Sequence, residues 1–243
     1  MNIKLTIEYD GTNYHGWQIQ PNGDTIQAVL ERAISTFFGT PTRIIGSGRT
    51  DAGVHALGQT ANFPCDKEVD LYRLQRGLNA LTPENIVIRK VEVVGESFDA
   101  RRHARSRTYA YRIWNAPWPS PFQTRYAWHV HDLLQVEPMQ NAILSLEGEH
   151  DFSSFQAAAC DAAHAVRRVY RNSLQVNGSL LVYTIEATAF LRHMVRSIIG
   201  TLVEVGRGHR TGKAFAELLE VRDRTQAGPT APPHGLFLME VKY

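Results

Sequence analysis

The stretch Gly46-Ser47-Gly48-Arg49-Thr50-Asp51-Ala52-Gly53-Val54-His55-Ala56-Leu57-Gly58-Gln59 organises this 243-residue chain. Ile44-Ile45 leads into it and Thr60-Ala61-Asn62-Phe63 leaves it, so two apolar runs flank a segment holding four glycines. Glycines at that density let a backbone turn sharply or approach a bulky neighbour. The pattern is strand, tight loop, strand, with strands at about 42–47 and 58–64, and the loop displays Arg49 and Asp51 side by side.

Working outward, Ile3, Leu5, Ile7 and Tyr9 alternate with Lys4, Thr6 and Glu8, the period of a half-buried strand. Asp24 and Gln27 have the spacing of a capping box ahead of a helix with Ile26, Val29, Leu30, Ala33, Ile34 and Phe37 on one face. Gly39 and Pro41 stop that helix. Beyond the loop, Leu71, Leu74, Leu78 and Leu81 mark a second helix closed by Pro83. Ile86, Ile88, Val91 and Val93 form a strand whose parity breaks between Ile88 and Val91. The order is β-α-β-β-α-β, the ferredoxin-like pattern.

The plan then restarts. Thr108 to Trp114 reads as a strand, and Val136, Met139, Ile143 and Leu146 as a helix ended by Gly148. Asn177-Gly178 between Leu174/Val176 and Leu181/Tyr183/Ile185 is a hairpin signal. Helices are expected at about 191–204 and 211–220, and a last strand over Leu236 to Val241. Pro229, Pro232 and Pro233 keep the segment before it irregular. The expected fold class is α+β: two ferredoxin-like halves, 1–105 and 106–243, with mainly antiparallel sheets meeting at a central basic cleft.

Composition bounds the function. The chain is 43% hydrophobic and 21% charged, enough for a packed core. No segment approaches the roughly 18 continuous apolar residues of a membrane helix, and Met1 to Leu5 runs directly into a strand pattern, so neither a membrane span nor a signal peptide is expected. Two cysteines, Cys65 and Cys160, are too few for a disulfide framework or a four-ligand zinc site, and a reducing cytoplasm is the expected setting. The net charge of +2 says little, but residues 100–131 carry six arginines and no acid: Arg101, Arg102, Arg105, Arg107, Arg112 and Arg125. Tyr109, Tyr111, Trp114, Trp118, Phe122, Tyr126 and Trp128 are interleaved with them. Such a run is ordinarily a solvated basic face. Arginine beside aromatic faces also suits phosphate contact and base stacking, and the absence of acids over so long a window favours nucleic acid.

On its own, an aspartate among glycines is ordinarily a turn residue that binds nearby backbone N–H groups. The glycines at 46, 48, 53 and 58 do not fit G-x-G-x-x-G, and no Gly-Lys-Ser/Thr follows, so no phosphate-binding loop is matched. The histidines are too scattered for metal-ligand spacing.

Gly48-Arg49-Thr50-Asp51-Ala52-Gly53-Val54-His55, with Gln59, resembles the signature loop of the tRNA pseudouridine synthase A family. Glu8-Tyr9-Asp10-Gly11 with Tyr14, Gly16, Trp17 and Gln18 resembles its opening. Further matches follow in order: Phe98-Asp99-Ala100-Arg101, Arg107-Thr108-Tyr109 with Tyr111, Gly148-Glu149-His150-Asp151-Phe152, Phe190-Leu191-Arg192-His193-Met194-Val195-Arg196, and Asp223-Arg224-Thr225. The resemblance implies an enzyme that isomerises uridine to pseudouridine at positions 38 to 40 of the tRNA anticodon stem-loop, as a homodimer, without cofactor or metal. It places the catalytic nucleophile on Asp51, the substrate-stacking tyrosine on Tyr109, the arginine paired with the nucleophile on Arg196, and the base-displacing arginine on Arg49. No role passes to Arg192. Arg101, Arg105 and Arg107 are the expected RNA-backbone contacts.

The chemistry agrees with these residue types. A carboxylate serves as covalent catalyst, and an aspartate of ordinary pKa, about 3.9, is ionised at neutral pH and kept so by a nearby arginine. A tyrosine face receives an extruded base, whose unstacking costs a few kcal/mol. Whether Tyr109 also takes the C5 proton stays open, because a phenol of pKa about 10 is a weak base at neutral pH. So does the choice between the sugar C1′ and the uracil C6 as the target of Asp51. Two rivals stand beside this reading: an RNA N-glycosylase using Asp51, and a non-catalytic tRNA-binding module.

Overall fold

The computed structural model describes residues 1–157 and 164–243, so Cys160 lies outside the described residues. The chain divides into two compact units: Met1–Arg105 with Phe237–Tyr243, and Ser106–Leu236. Residues 237–243, expected in the second half, group with the first.

The first unit runs β1 (Asn2–Tyr9), α1 (Ile26–Phe38), β2 (Ile45–Gly46), β3 (His55–Pro64), α2 (Leu71–Leu81) and β4 (Ile86–Val94). β1 is central, antiparallel to β4 on one edge and to β3 on the other, and β2 pairs antiparallel with β3. Inward Ile3, Leu5 and Ile7 are fully buried, which follows directly from their period-2 spacing. The parity break in β4 is a bulge at Arg89: Thr6 pairs with Lys90 but Ile7 with Ile88.

Two expectations are corrected here. Asp24 does not cap α1; Thr25 does, its side chain accepting from the Ala28 N–H. Gln27 is not free to complete a box, because its amide accepts from Ile19 N–H and donates to Glu31 and to the Ile44 carbonyl. The strand expected at 42–47 shrinks to Ile45–Gly46 for a related reason. Ser35 accepts from the Thr42 N–H and Glu31 from the Ile44 N–H, so side chains of α1 take the backbone groups that a longer ladder would use. Gly39 ends α1 in the left-handed conformation, as its position implies.

The second unit runs β5 (Ser106–Asn115), β6 (Trp128–Val130), α3 (Val136–Ile143), β7 (Gly148–Asp151), β8 (Val166–Asn177), β9 (Leu180–Ala187), α4 (Met194–Gly206), α5 (Gly212–Ala216) and α6 (Leu218–Val221). Antiparallel pairing gives the strand order β5, β9, β8, β7, and the short β6 lies parallel to the end of β5. The β8–β9 hairpin turns at Asn177-Gly178 as its dipeptide indicates, with Gly178 at φ 60. α4 is buried along nearly all its length and packs on α3 and α5. It begins at Met194 rather than near 191, because His193 adopts φ 64 and breaks the helical path there. The single helix expected over 211–220 is two short ones meeting at Glu217.

The last strand, β10 (Leu236–Lys242), runs parallel to β3 through Phe237↔His55 and Leu238↔Ala56. Cys65 is buried. Among the described residues no helix is long and apolar enough to cross a membrane.

Candidate active site

The β2–β3 connection, residues 47–54, is held by a buried polar network. Gln59 is fully buried on β3. Its Oε1 accepts from Ser47 Oγ at 2.6 Å and from the Thr60 N–H at 3.0 Å, while its Nε2 donates to the Gly48 carbonyl at 3.0 Å. One amide thus ties the entry of the loop to the strand that leaves it. Thr50 is pinned from the other side: its Oγ1 lies 2.8 Å from the Tyr9 hydroxyl, and its carbonyl accepts from the Trp17 N–H at 3.0 Å. Burial pushes the Tyr9 phenol up to about 12, with the hydrogen bonds to Thr50 and Gln59 only partly offsetting it, so Tyr9 stays neutral across the physiological range.

The opening motif closes over the same loop. Gly53 N–H donates to the Tyr14 carbonyl and Val54 N–H to that of Asp51. Gly16 has φ +86, and a Cβ there would stand 2.5 Å from the Thr50 carbonyl, so both conformation and space demand glycine. His55 is buried, stacked on Phe237 at 4.7 Å. Its Nδ1 accepts from the Gly11 N–H at 3.1 Å and lies as close to Asp10, whose carboxylate also takes the Thr12 N–H.

What this bracing displays is the pair expected from sequence. Asp51 is half-buried beside buried Thr50, and Arg49 is exposed with its Nε donating to Gln18 at 3.2 Å. In the same unit, Arg101 and Arg105 are exposed beyond β4. The Arg101 backbone N–H donates to Asp99 and that of Arg105 to the Lys242 carbonyl.

The second unit carries Tyr109, Arg107 and Arg196. Tyr109 sits on β5 opposite Ile185 of β9, 9% exposed, with its ring edge-on to Phe190 at 5.0 Å. Arg107 donates through Nη1 to the Thr188 carbonyl at 2.9 Å. Arg196 is half-buried in the first turn of α4. Its Nε donates to the Ala231 carbonyl at 2.8 Å, and the Ala231 N–H returns a bond to the Arg196 carbonyl at 3.0 Å. The irregular proline segment is therefore the clamp on this arginine.

That clamp is itself held in place. Tyr111, fully buried two residues from Tyr109 on the same face of β5, donates its hydroxyl to the Pro232 carbonyl at 2.7 Å. Burial holds its phenol far above the usual range, with the charge of Arg196 opposing in part. Arg224 donates to the Gly228 carbonyl and to Thr230 Oγ1, both at 3.0 Å. Gly200 of α4 lets the Pro229 carbonyl approach so closely that a Cβ would overlap it. Tyr9, Gln59, Tyr111 and Arg224 are the working residues that sequence reasoning quoted without assigning a task. Their only sequence signal was membership of motif segments, since their task is a contact with a distant backbone carbonyl or side chain.

Among the described residues, no group of three or more His, Cys, Asp or Glu could hold a metal ion. The sequence profile described as "tRNA pseudouridine synthase" matches residues 5–101 and 142–243, spanning both units. The chain belongs to the tRNA pseudouridine synthase family. Proteins named tRNA pseudouridine synthase A resemble it over its full length. That of Myxococcus xanthus is 46% identical over 242 residues, covering 99% of this chain and 91% of the relative. That of Geotalea uraniireducens (strain Rf4) is 46% identical over 241 residues, covering 99% of each. That of Thermoanaerobacter sp. (strain X514) is 41% identical over 242 residues, covering 100% and 99%. As a tRNA pseudouridine synthase, the chain is an isomerase acting on tRNA, and the matched residues include the Asp51 loop with its supports and Arg196 with Ala231, while Tyr109 and Tyr111 lie between the two matched segments.

Proposed function

We propose that this enzyme converts uridine to pseudouridine at positions 38, 39 and 40 of the tRNA anticodon stem-loop, with Asp51 as nucleophile. The observation that carries the reading is the Asp51 loop itself, a carboxylate half-exposed on a turn whose flanking residues are pinned by Gln59, Ser47, Thr50 and Tyr9. Turn chemistry alone needs no such bracing. A nucleophile that must meet one atom does.

In the net reaction the N1–C1′ bond breaks, a C5–C1′ bond forms, the C5 proton leaves and N1 gains one. Oxidation state is unchanged and no group leaves, so the carboxylate is the sole covalent catalyst required. Asp51 forms a transient adduct at the sugar C1′ or the uracil C6. Tyr109 supplies a flat face for the extruded base, and Arg196 keeps the carboxylate ionised. Arg49 displaces the target base, and Arg101, Arg105 and Arg107 hold the stem backbone. Grouping these residues rests on their match to the family's motifs, position by position.

The same reading includes ferredoxin-like halves around a basic RNA cleft, a homodimer, and a cytoplasmic setting. The β-α-β-β-α-β order of the first unit supports a ferredoxin-like plan for that unit, and exposed Arg101 and Arg105 support contact with RNA; the homodimer and the cytoplasmic setting rest on the resemblance and the composition. Incubation with unmodified tRNA, followed by carbodiimide labelling and mapping, tests the function. Pseudouridine is expected at 38–40 with no free uracil. Free uracil would identify an N-glycosylase, and unchanged uridine a binding module.

A further inference from the structure

The first unit carries a second feature suited to RNA, away from the Asp51 loop. A groove of about 350 Å³ is lined by Phe37 from α1 and Tyr72, Arg73, Arg76 and Gly77 from α2. Its floor is aromatic: the Phe37 ring lies directly on the Gly77 backbone, where a Cβ would collide with it. Tyr72 is 70% exposed, an unusual state for a tyrosine on a helix with Leu74 and Leu78 fully buried. The Arg76 guanidinium stands 5.7 Å from the Tyr72 ring centroid, one helical turn away, and Arg73 is exposed beside them. The described lining holds two cations and no carboxylate. The nearest acid in sequence, Asp70, is committed to capping α2 through the Arg73 N–H.

These side chains match one kind of ligand. A planar ring and a planar guanidinium offer stacking faces to a base, and two arginines offer bidentate donors to phosphates. The groove is also remote from the chemistry. α1 begins beside the catalytic loop, its Ile26 N–H bonded to the Gly16 carbonyl next to Trp17 and Thr50. Phe37 lies about three turns further on, roughly 16 Å along the helix axis. A nucleotide in this groove is therefore not the one that meets Asp51.

We infer that Tyr72, Arg73 and Arg76 form an auxiliary tRNA-docking site that grips backbone and base away from the target uridine. The inference rests on the tRNA-directed reading above but is measured separately from turnover. Each phosphate contact adds about 0.9 to the slope of log affinity against log salt, so two contacts add about 1.8, about a tenfold difference across a fourfold salt change.

The test is direct titration of unmodified tRNA against wild-type enzyme and the Arg73→Gln/Arg76→Gln variant, with pseudouridine formation followed in parallel. The variant is expected to have a salt slope shallower by about 1.8 and a raised KM, its ratio to the wild-type KM falling about tenfold as salt rises fourfold, with kcat at saturating tRNA unchanged. Arg73→Lys/Arg76→Lys keeps the charge and should keep the slope. Tyr72→Ala should lose about fivefold in affinity at an unchanged slope, because stacking releases no counterions. An unchanged slope and KM in the double Gln variant would overturn the docking site, as would a fall in kcat with the slope intact. A wild-type enzyme that bound tRNA with the expected slope difference but made no pseudouridine would overturn the functional reading and leave the docking site standing.

Discussion

Replacing Gln59 by leucine isolates the network that holds the Asp51 loop. The side chains are close in volume and the site is fully buried, so the change removes hydrogen bonds more than packing. Four partners lose a bond: the Ser47 hydroxyl, the Thr60 N–H, the Gly48 carbonyl and the Tyr9 hydroxyl, which keeps its contact with Thr50. A buried polar group left unsatisfied costs about 1–3 kcal/mol, so the variant should lose roughly 3–6 kcal/mol once local relaxation recovers part of the maximum. That is a large share of the roughly 5–15 kcal/mol that holds a domain folded. The loop also loses its anchor, and a displacement near 1 Å of a reacting group costs about a hundredfold in rate. Urea titration at low temperature reads the first quantity. Single-turnover pseudouridine formation, well below the unfolding transition, reads the second. A loss under about 1 kcal/mol with an unchanged single-turnover rate would refute the claim that this amide positions Asp51.

Three further expectations follow from the same contacts. Tyr9 titrates near 12 in the folded chain against about 10 unfolded, so its contribution is complete below pH 10 and declines as pH rises toward 12, by about 2–3 kcal/mol; Tyr9→Phe should flatten that part of the stability-versus-pH curve measured by denaturant titration. Gly200→Ala should destabilise by about 1–3 kcal/mol, although alanine is the better helix former, because its methyl would overlap the Pro229 carbonyl; thermal unfolding measures it. Arg196→Lys keeps the charge but loses the Nε bond to Ala231, so kcat should fall at least about tenfold while tRNA affinity holds.

Much of the first unit was legible because its apolar spacing is regular and its punctuation strong. Ile3, Leu5 and Ile7 gave β1, Leu71 to Leu81 gave α2, and the parity change after Ile88 announced the bulge at Arg89. The misreadings arose where side chains compete with backbone. Glu31, Gln27 and Ser35 bind the segment before Ile45, and no local pattern signals that a helix will take up a neighbouring strand's hydrogen bonds. β7, read Gly148-Glu149-His150-Asp151, carries no apolar residue and is a strand only through its pairing with β8.

The site divides the same way. Asp51, Tyr109 and Arg196 are proposed from motif order, since the chemistry constrains residue type. The supports could not be read that way. Arg196 is clamped by the Ala231 carbonyl, in a segment that Tyr111 holds through the Pro232 carbonyl across a long sequence separation and Arg224 through the nearby Gly228 carbonyl. Carbonyls have no residue identity, so no sequence pattern marks them.

Asp51→Asn is the most direct test of the proposed nucleophile, because the amide keeps the size and loses the carboxylate. Pseudouridine formation in unmodified tRNA should be abolished while tRNA affinity and thermal stability match the wild type. Sustained pseudouridine formation by Asp51→Asn would show that Asp51 is not the nucleophile.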